Sequence, residues 1–244
     1  MSALDAFRLD GKVALVTGGS RGIGRAIADA LRDAGAEVWV TSRTAEGAER
    51  AVRGTRLKGA TCDVSDAAQV EALFERVGDV DVLVCAAGLS SAGRASEVSP
   101  GEMRRMHEIH VLGALACAQR AHASMKARGG GSILLVTSVW GLAGQPGTLP
   151  YGAAKAALAH SVKVLALEWA RDGVRVNGLA PGFVETAMTA EVGEPVKEKL
   201  LSRVPLRRAA EPDEMAGPAL LLCSPAGSYV TGHILVADGG ERAR

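Results

Sequence analysis

Short runs of β-branched and aliphatic residues alternate along the chain with longer segments whose apolar positions recur every three or four residues. The first kind reads as buried strands and the second as amphipathic helices. KVALVTG (12–18) predicts a strand, followed by a helix over 22–34. AEVWVTS (36–42) predicts a second strand, then a short helix and a third strand within RLKGATC (56–62). DAAQVEALFERV (66–77) predicts a helix in which Asp66 and Gln69 have capping-box spacing. DVDVLVCAAG (79–88) is a fourth strand. The next helix opens with Ser99 as N-cap, Pro100 at its first position and Glu102 at its third. SILLVTS (132–138) is a strand, a long helix covers 150–171, and strands within 173–182 and 233–240 complete the series.

Strands that alternate with helices need crossovers, and crossovers place helices over both faces of a parallel sheet. The expectation is an α/β chain: a single-domain Rossmann fold whose doubly wound parallel sheet has about seven strands. No repeat, low-complexity tract or linker divides residues 1–244, so they read as one domain. Residues 183–214 stand apart, being charged and broken by prolines. In open α/β sheets ligands bind beyond the carboxyl ends of the strands, so this stretch is a candidate substrate lid. The alternative is a plain helical connection.

Composition narrows the class. Hydrophobic residues make up 48% and charged ones 23%, as in an ordinary globular protein. A net charge of +1 with scattered Lys and Arg gives no nucleic-acid footprint. Aromatics at 3% leave the core to Ala, Val and Leu. Cys62, Cys85, Cys117 and Cys223 form no CxxC pair and sit in apolar segments, which reads as buried thiols rather than bridges or metal ligands. No metal site is expected. With no apolar leader and no apolar run of membrane-spanning length, a soluble cytoplasmic protein without membrane or nucleic-acid partners is expected.

TGGSRGIG (17–24) follows the first strand and opens the first helix. Gly18, Gly22 and Gly24 permit a sharp turn and close backbone approach to a pyrophosphate, which a helix N-terminus attracts. About 20 residues further on, where an acidic residue would hold the ribose 2′-OH of NAD, this chain has Ser42 and Arg43. Arg21 supplies a second cation. Guanidinium groups match a 2′-phosphate, so NADP(H) is expected over NAD(H).

LPYGAAKAALAH (149–160) places Tyr151 one helical turn before Lys155. Together with TGGSRGIG, with Ser138 in LLVTSVWG, with VRVNGLAPGFVET (174–186) and with YVTGHILVADGG (229–240), the chain resembles the classical short-chain dehydrogenase/reductase family over nearly its whole length. Length and spacing are most similar to the bacterial 3-oxoacyl-[acyl carrier protein] reductases. The resemblance implies that Tyr151 is the general acid for ketone reduction and the base for alcohol oxidation. It implies that Lys155 also binds the nicotinamide ribose and that Ser138 holds the substrate oxygen as charge develops. A free phenol titrates near pH 10, and bringing it to pH 7 costs about 4 kcal/mol. A nearby ammonium works in that direction, so Lys155 is expected to lower Tyr151.

The same resemblance assigns the cofactor site. Gly18, Ser20, Arg21, Gly22, Ile23 and Gly24 would line the phosphates, and Ser42 and Arg43 the adenosine ribose. Asp63 and Val64 match residues that hold the adenine, while Ala87 and Gly88 match the turn beneath the ribose. Pro181, Gly182, Val184 and Thr186 match the nicotinamide loop, beside Tyr151 and Lys155.

Two positions depart from the family. Cys85 and Ala86 stand where it commonly has two asparagines, which touches sheet bonding more than chemistry. His110 stands where it usually has an asparagine that binds a water linking the lysine to solvent. Histidine donates, accepts and titrates near neutrality, so His110 is a candidate member of that relay, a packed helix residue being the alternative. Apolar residues around the helix after Tyr151 predict a partner surface, and a homotetramer is expected, with a dimer as the alternative. The expected activity is NADP(H)-dependent interconversion of a ketone and a secondary alcohol, with a 3-oxoacyl thioester as first substrate. A dehydrogenase of a sugar, steroid or cyclic alcohol and a non-catalytic NADP-binding sensor are the alternatives.

Overall fold

Apolar strands at Val13–Thr17 (β1), Glu37–Ser42 (β2), Lys58–Thr61 (β3), Val82–Cys85 (β4), Gly131–Val136 (β5), Val174–Pro181 (β6) and Ile234–Ala237 (β7) form one sheet in a computed structural model that describes residues 2–190 and 192–243. The strand order is β3-β2-β1-β4-β5-β6-β7 and every pairing is parallel. The chain winds outward from β1 to β3, then returns to β4 on the other side of β1. That reversal opens a crevice at the carboxyl ends of β1 and β4.

Helices Gly22–Asp33 (α1), Ala45–Val52 (α2) and Ala216–Cys223 (α8) cover one face, while Ala67–Val77 (α3), Gly113–Ala127 (α5) and Leu149–Trp169 (α6) cover the other. Alternation along β1 feeds both cores. Leu15 points among Leu73, Met125 and Leu158, and Ala14 and Val16 point among Ile27, Leu31 and Leu222. This is the doubly wound single domain expected, with seven strands.

Two helix starts are instructive. Ser99 caps Pro100–His107 (α4), its Oγ accepting from Glu102 N at 3.1 Å. Asp66 caps α3 by accepting from Ala68 N and Gln69 N, but the reciprocal half of the expected capping box is absent. Asp66 N–H is already donated to Asp63 O at 3.0 Å, so the Gln69 carbonyl oxygen accepts from Asp63 N at 2.9 Å instead.

Between α4 and α5 the helix widens into a π turn, Glu108–Leu112, which buries both His110 and Val111. Such single-turn bulges re-aim side chains within a helix. The candidate lid has a closed base: Val184 bridges Ala210, with Glu185 N donating to Ala210 O at 2.8 Å and Ala210 N to Phe183 O at 2.9 Å. The excursion between them carries Glu194–Leu201 (α7), and Glu191, also within it, lies outside the described residues. All four cysteines are free and buried. Among the described residues no helix is long and apolar enough to cross a membrane.

Candidate active site

The turn after β1 is built from contacts that exclude side chains. Gly18 takes φ +68°, and a Cβ there would lie 2.6 Å from Ala87 Cα. A Cβ on Gly24 would lie 2.5 Å from Gly18 O. Thr41 Oγ1 accepts from Gly18 N at 3.1 Å and fixes the start of the turn. Gly22, at φ +57°, faces Thr186, whose Cγ2 would be 3.4 Å from a Cβ at position 22. No side chain caps the N-terminus of α1, and its first turn holds no carboxylate. Bare amides and a helix dipole make a cradle that suits a pyrophosphate.

Beside this cradle β2 ends on Ser42, and Arg43 rather than a carboxylate follows it. Arg43 and Arg21 are both exposed. Glu37 lies at the other end of the strand, paired with Lys58 at 2.7 Å. Asp63 Oδ1 accepts from Ser65 N at 3.0 Å and Ser65 Oγ at 2.6 Å. These bonds hold its carboxyl below the usual range, and the Arg43 charge adds to the effect. Val64 is buried with its carbonyl packed against Gly113.

The reacting groups come together at the carboxyl end of β5. Ser138 opens a 3-10 turn, Val139–Gly141, and its Oγ accepts from Trp140 N at 3.2 Å. A Cβ on Gly141 would lie 2.6 Å from the Lys155 carbonyl carbon, so this turn rests directly on α6. Tyr151 and Lys155 sit one turn apart on that helix. The Tyr151 ring meets Trp140 edge-on, with centroids 6.2 Å apart.

The electrostatics differ from expectation in one respect. Burial pushes the Tyr151 phenol above its ordinary value, and only a hydrogen bond with Ser138 pulls it down. Lys155 does not lower it here, because the ammonium donates to Val136 O at 2.7 Å and lies 5.7 Å from the Tyr151 ring centre. Burial pushes Lys155 itself down to about 7.

His110 also departs from expectation. It is 2% exposed, and burial followed by the Lys155 charge pushes its imidazole down to about 3, far from neutrality. Nε2 donates to Leu89 O at 2.7 Å, which leaves Nδ1 buried without a partner among the described residues. A Cβ on Gly88 would lie 2.4 Å from His110 Cε1, so this imidazole fits only beside a glycine. Cys85 Sγ donates to Ala114 O at 3.7 Å, and burial pushes its thiol up to about 12, as befits an apolar filler.

Beyond β6 the chain crosses the end of β7. Gly182 N donates to Ala237 O at 3.0 Å, and a Cβ at 182 would lie 2.8 Å from Asp238 Cα. Val184 is buried in the bridge at the base of the excursion. Thr186 N donates to Thr189 Oγ1 at 2.9 Å, and the two hydroxyls lie 3.3 Å apart, while the Thr186 methyl faces the glycine turn.

The structure thus gathers Ser138, Tyr151, Lys155 and His110 at one point, with the glycine cradle and Thr186 beside it. Sequence reasoning missed Trp140, Thr189, Gln145 and Arg203. Thr189 carried a signal, a hydroxyl three residues beyond Thr186 in a turn. Arg203 Nη1 donates to Gln145 Oε1 at 3.1 Å across 58 positions, with no local signal.

A family model described as Enoyl-(Acyl carrier protein) reductase matches residues 18–241. The chain is 37% identical to a 3alpha-hydroxysteroid dehydrogenase of Mediterraneibacter gnavus, over 96% of this chain and 98% of that protein. It is 38% identical to a cis-4-hydroxycyclohexanecarboxylate dehydrogenase of Sinomonas cyclohexanicum, over 95% and 97% of the two. A gluconate 5-dehydrogenase from Burkholderia cenocepacia, solved in complex with NADP and tartrate, superposes with a TM-score of 0.94 at 35% identity over 100% of both chains.

Proposed function

The chain belongs to the classical short-chain dehydrogenase/reductase family, an oxidoreductase family acting on alcohols and ketones, and from that premise we propose that it interconverts a ketone and a secondary alcohol with NADP(H). The observation that carries this reading is the convergence of Ser138, Tyr151 and Lys155 beside a backbone cradle that no side chain could share.

The residues around the cradle fit a dinucleotide. Gly18, Ser20, Gly22, Ile23 and Gly24 would take its phosphates, Ser42 and Arg43 with Arg21 its adenosine ribose, and Asp63 and Val64 its adenine. Ala87 and Gly88 would lie beneath the ribose. Pro181, Gly182, Val184 and Thr186 would meet the carboxamide end. Bound there, a nicotinamide supplies or accepts the hydride. Two arginines without a carboxylate at the end of β2 support the phosphorylated cofactor.

Tyr151 gives a proton to the carbonyl oxygen in reduction and takes it back in oxidation. Ser138 Oγ hydrogen-bonds the same oxygen as charge develops there. Lys155, now bonded to the Val136 carbonyl, would turn its N–H groups to the ribose hydroxyls. His110 serves the relay as a neutral imidazole, with Nδ1 as its acceptor.

The substrates named for the relatives support a cyclic or sugar-like alcohol. The 3-oxoacyl thioester is the second reading; the family model's description names an acyl carrier protein substrate, but for reduction of an enoyl group. Residues 183–214 act as the substrate lid. Exposed Leu112, Val164 and Leu167 on the α5–α6 face support a homo-oligomer, a tetramer before a dimer.

The test is NADPH absorbance against a panel of cyclic ketones, keto sugars and 3-oxoacyl thioesters. Oxidation by one class, lost by at least about a hundredfold in Tyr151→Phe, supports the reading. Undiminished turnover in that variant overturns it. Tight cofactor binding with no turnover of any class points instead to a sensor.

A further inference from the structure

We propose that Trp140 selects a substrate whose ketone or hydroxyl sits on an apolar carbon ring, by covering one face of that ring with its indole. This deepens the function proposed above and rests on it, choosing a carbon ring over a sugar or an open chain. Trp140 is tied to the reacting centre twice. Its N donates to Ser138 Oγ at 3.2 Å, and its indole meets the Tyr151 ring edge-on with centroids 6.2 Å apart. The turn that carries it lies flat on α6. A Cβ on Gly152 would lie 3.0 Å from Trp140 O, and one on Gly141 would lie 2.6 Å from the Lys155 carbonyl carbon.

The indole does not fill the core. Aromatic residues make up 3% of the chain, and its other two tryptophans are engaged. Trp39 Nε1 donates to Glu37 Oε1 at 3.2 Å, with Lys58 and Arg76 over its ring. Trp169 is buried and stacks on His122 with centroids 4.2 Å apart. Trp140 is partly exposed, packs against none of the three buried clusters, and has Tyr151 as its one ring partner among the described residues. A lone exposed apolar side chain means little in itself. One held against the reacting phenol lies where the substrate must come, and a bound ligand completes its burial.

The segments beside it set the kind of ligand. LSSAG (89–93) and VWGLAG (139–144) hold no charged side chain, and their loops are joined where Gly93 N donates to Gly147 O at 2.9 Å. The polar side chains of the joined loops, 89–93 and 139–148, are largely occupied. Ser91 donates to Glu102, Gln145 accepts from Arg203, and Thr148 Oγ1 donates to Gln145 O at 2.8 Å. Ser90 and the Gln145 amide N–H groups are left on this side for a substrate hydroxyl. A polyol would lose water from several hydroxyls and regain few bonds. A carbon ring has no such loss and presents a broad C–H face to the indole. An open chain of the same size must freeze its torsions to cover that face.

The experiment uses the full chain with NADPH and two pairs matched in carbon number, cyclohexanone against 2-hexanone and 2-decalone against 2-decanone, with D-fructose as the keto sugar. The open chain carries more C–H surface in each pair, so a preference for the ring is not simple partition. For at least one pair, kcat/KM for the ring should exceed that for the chain by about tenfold or more. Trp140→Phe should keep most of that preference. Trp140→Leu, apolar without a flat face, and Trp140→Ala should bring the ratio within about twofold. A ratio near one in the wild type, a ratio unmoved in Trp140→Leu, or a preference for D-fructose overturns the inference. Where no ketone turns over, affinity in the presence of NADPH is read by saturation-transfer NMR. Ring binding that Trp140→Leu weakens by about tenfold then upholds the inference while counting against ketone reduction. Equal affinity for ring and chain, or binding of neither, overturns it.

Discussion

The imidazole of His110 meets the ring of Tyr151 edge to face, with centroids 5.4 Å apart and planes at 89°. The same imidazole donates through Nε2 to Leu89 O, so one side chain touches both the phenol and the start of the 89–98 loop. Its folded-state pKa, about 3, lies below the ordinary 6.5. Between those values the unfolded chain holds the proton and the folded one does not. Stability from this group is therefore complete above 6.5 and is lost as pH falls toward 3. Wild-type protein should lose melting temperature between pH 6 and pH 4 more steeply than His110→Asn, as read by calorimetry. Parallel curves would show that the imidazole is not the buried neutral group described. Turnover of His110→Asn should keep the wild-type pH profile between pH 6 and pH 8, because His110 does not change charge there.

Lys155 offers a second test with the opposite partner logic. Its ammonium is 5% exposed and faces a carbonyl, with no carboxylate among its described partners. Burial places it at about 7, below the 10.5 of the free side chain. The unfolded chain binds more protons across that interval, so this group makes folding more favourable as pH rises from 7 to 10.5. Lys155→Met should abolish turnover yet raise the melting temperature, and more at pH 6 than at pH 9. The lost bond to Val136 O costs about 1 kcal/mol at either pH and does not mimic the difference. An equal shift at the two pH values would sink the assignment.

Most of this arrangement could be read in the chain before its folding was known. Apolar runs marked the inner strands because both faces of a parallel sheet are buried there, whereas the edge strand β3, KGAT with one buried residue, was legible mainly from its place in the alternation of strands and helices. Tyr151 and Lys155 were legible because they stand one helical turn apart in a chain whose other motifs resemble the family; the spacing alone fits ordinary surface residues. The π turn at 108–112 was not, since five residues cannot distinguish a wider helical period from the ordinary one. The bond from Lys155 to Val136 was hidden for another reason. Sequence shows which residue types can interact locally, but the carbonyl that receives a buried ammonium is chosen by how β5 packs on α6. Gln69 shows the same limit at short range, where a turn at Asp63 took the partner its capping box needed.

Arg43 and Arg21 test the choice of cofactor. Both are exposed at the ribose end of the cradle, and the Arg43 charge is felt by Asp63. Removing one charge-assisted partner of a phosphate should weaken binding by about 10–100-fold. Arg43→Ala should therefore raise the KM for NADPH by that factor while leaving the KM for NADH within about twofold, and Arg21→Ala should act in the same direction. The difference should shrink as salt rises, since both arginines are solvent-exposed. Equal losses for the two cofactors would mean that Arg43 supports the loop rather than reading the 2′-phosphate.

Gly18 and Gly11 together separate close approach from backbone preference. Both adopt left-handed φ, +68° and +71°. Any Cβ therefore brings a conformational penalty of about 1–2 kcal/mol at either position. Their surroundings differ completely. At Gly11 nothing lies within 4 Å of the added carbon, whereas at Gly18 it meets the Ala87 backbone at 2.6 and 2.7 Å. Backbone cannot swing aside as a side chain does, so the turn and the end of β4 must separate. Gly11→Ala should cost only the conformational penalty and leave NADPH affinity unchanged. Gly18→Ala should cost more in urea unfolding, and NADPH affinity should fall by at least about tenfold, because the separated turn no longer presents its amides together. Equal destabilisation by the two variants would mean that the crevice between β1 and β4 yields easily, and the cradle would then not be the rigid element on which cofactor binding depends.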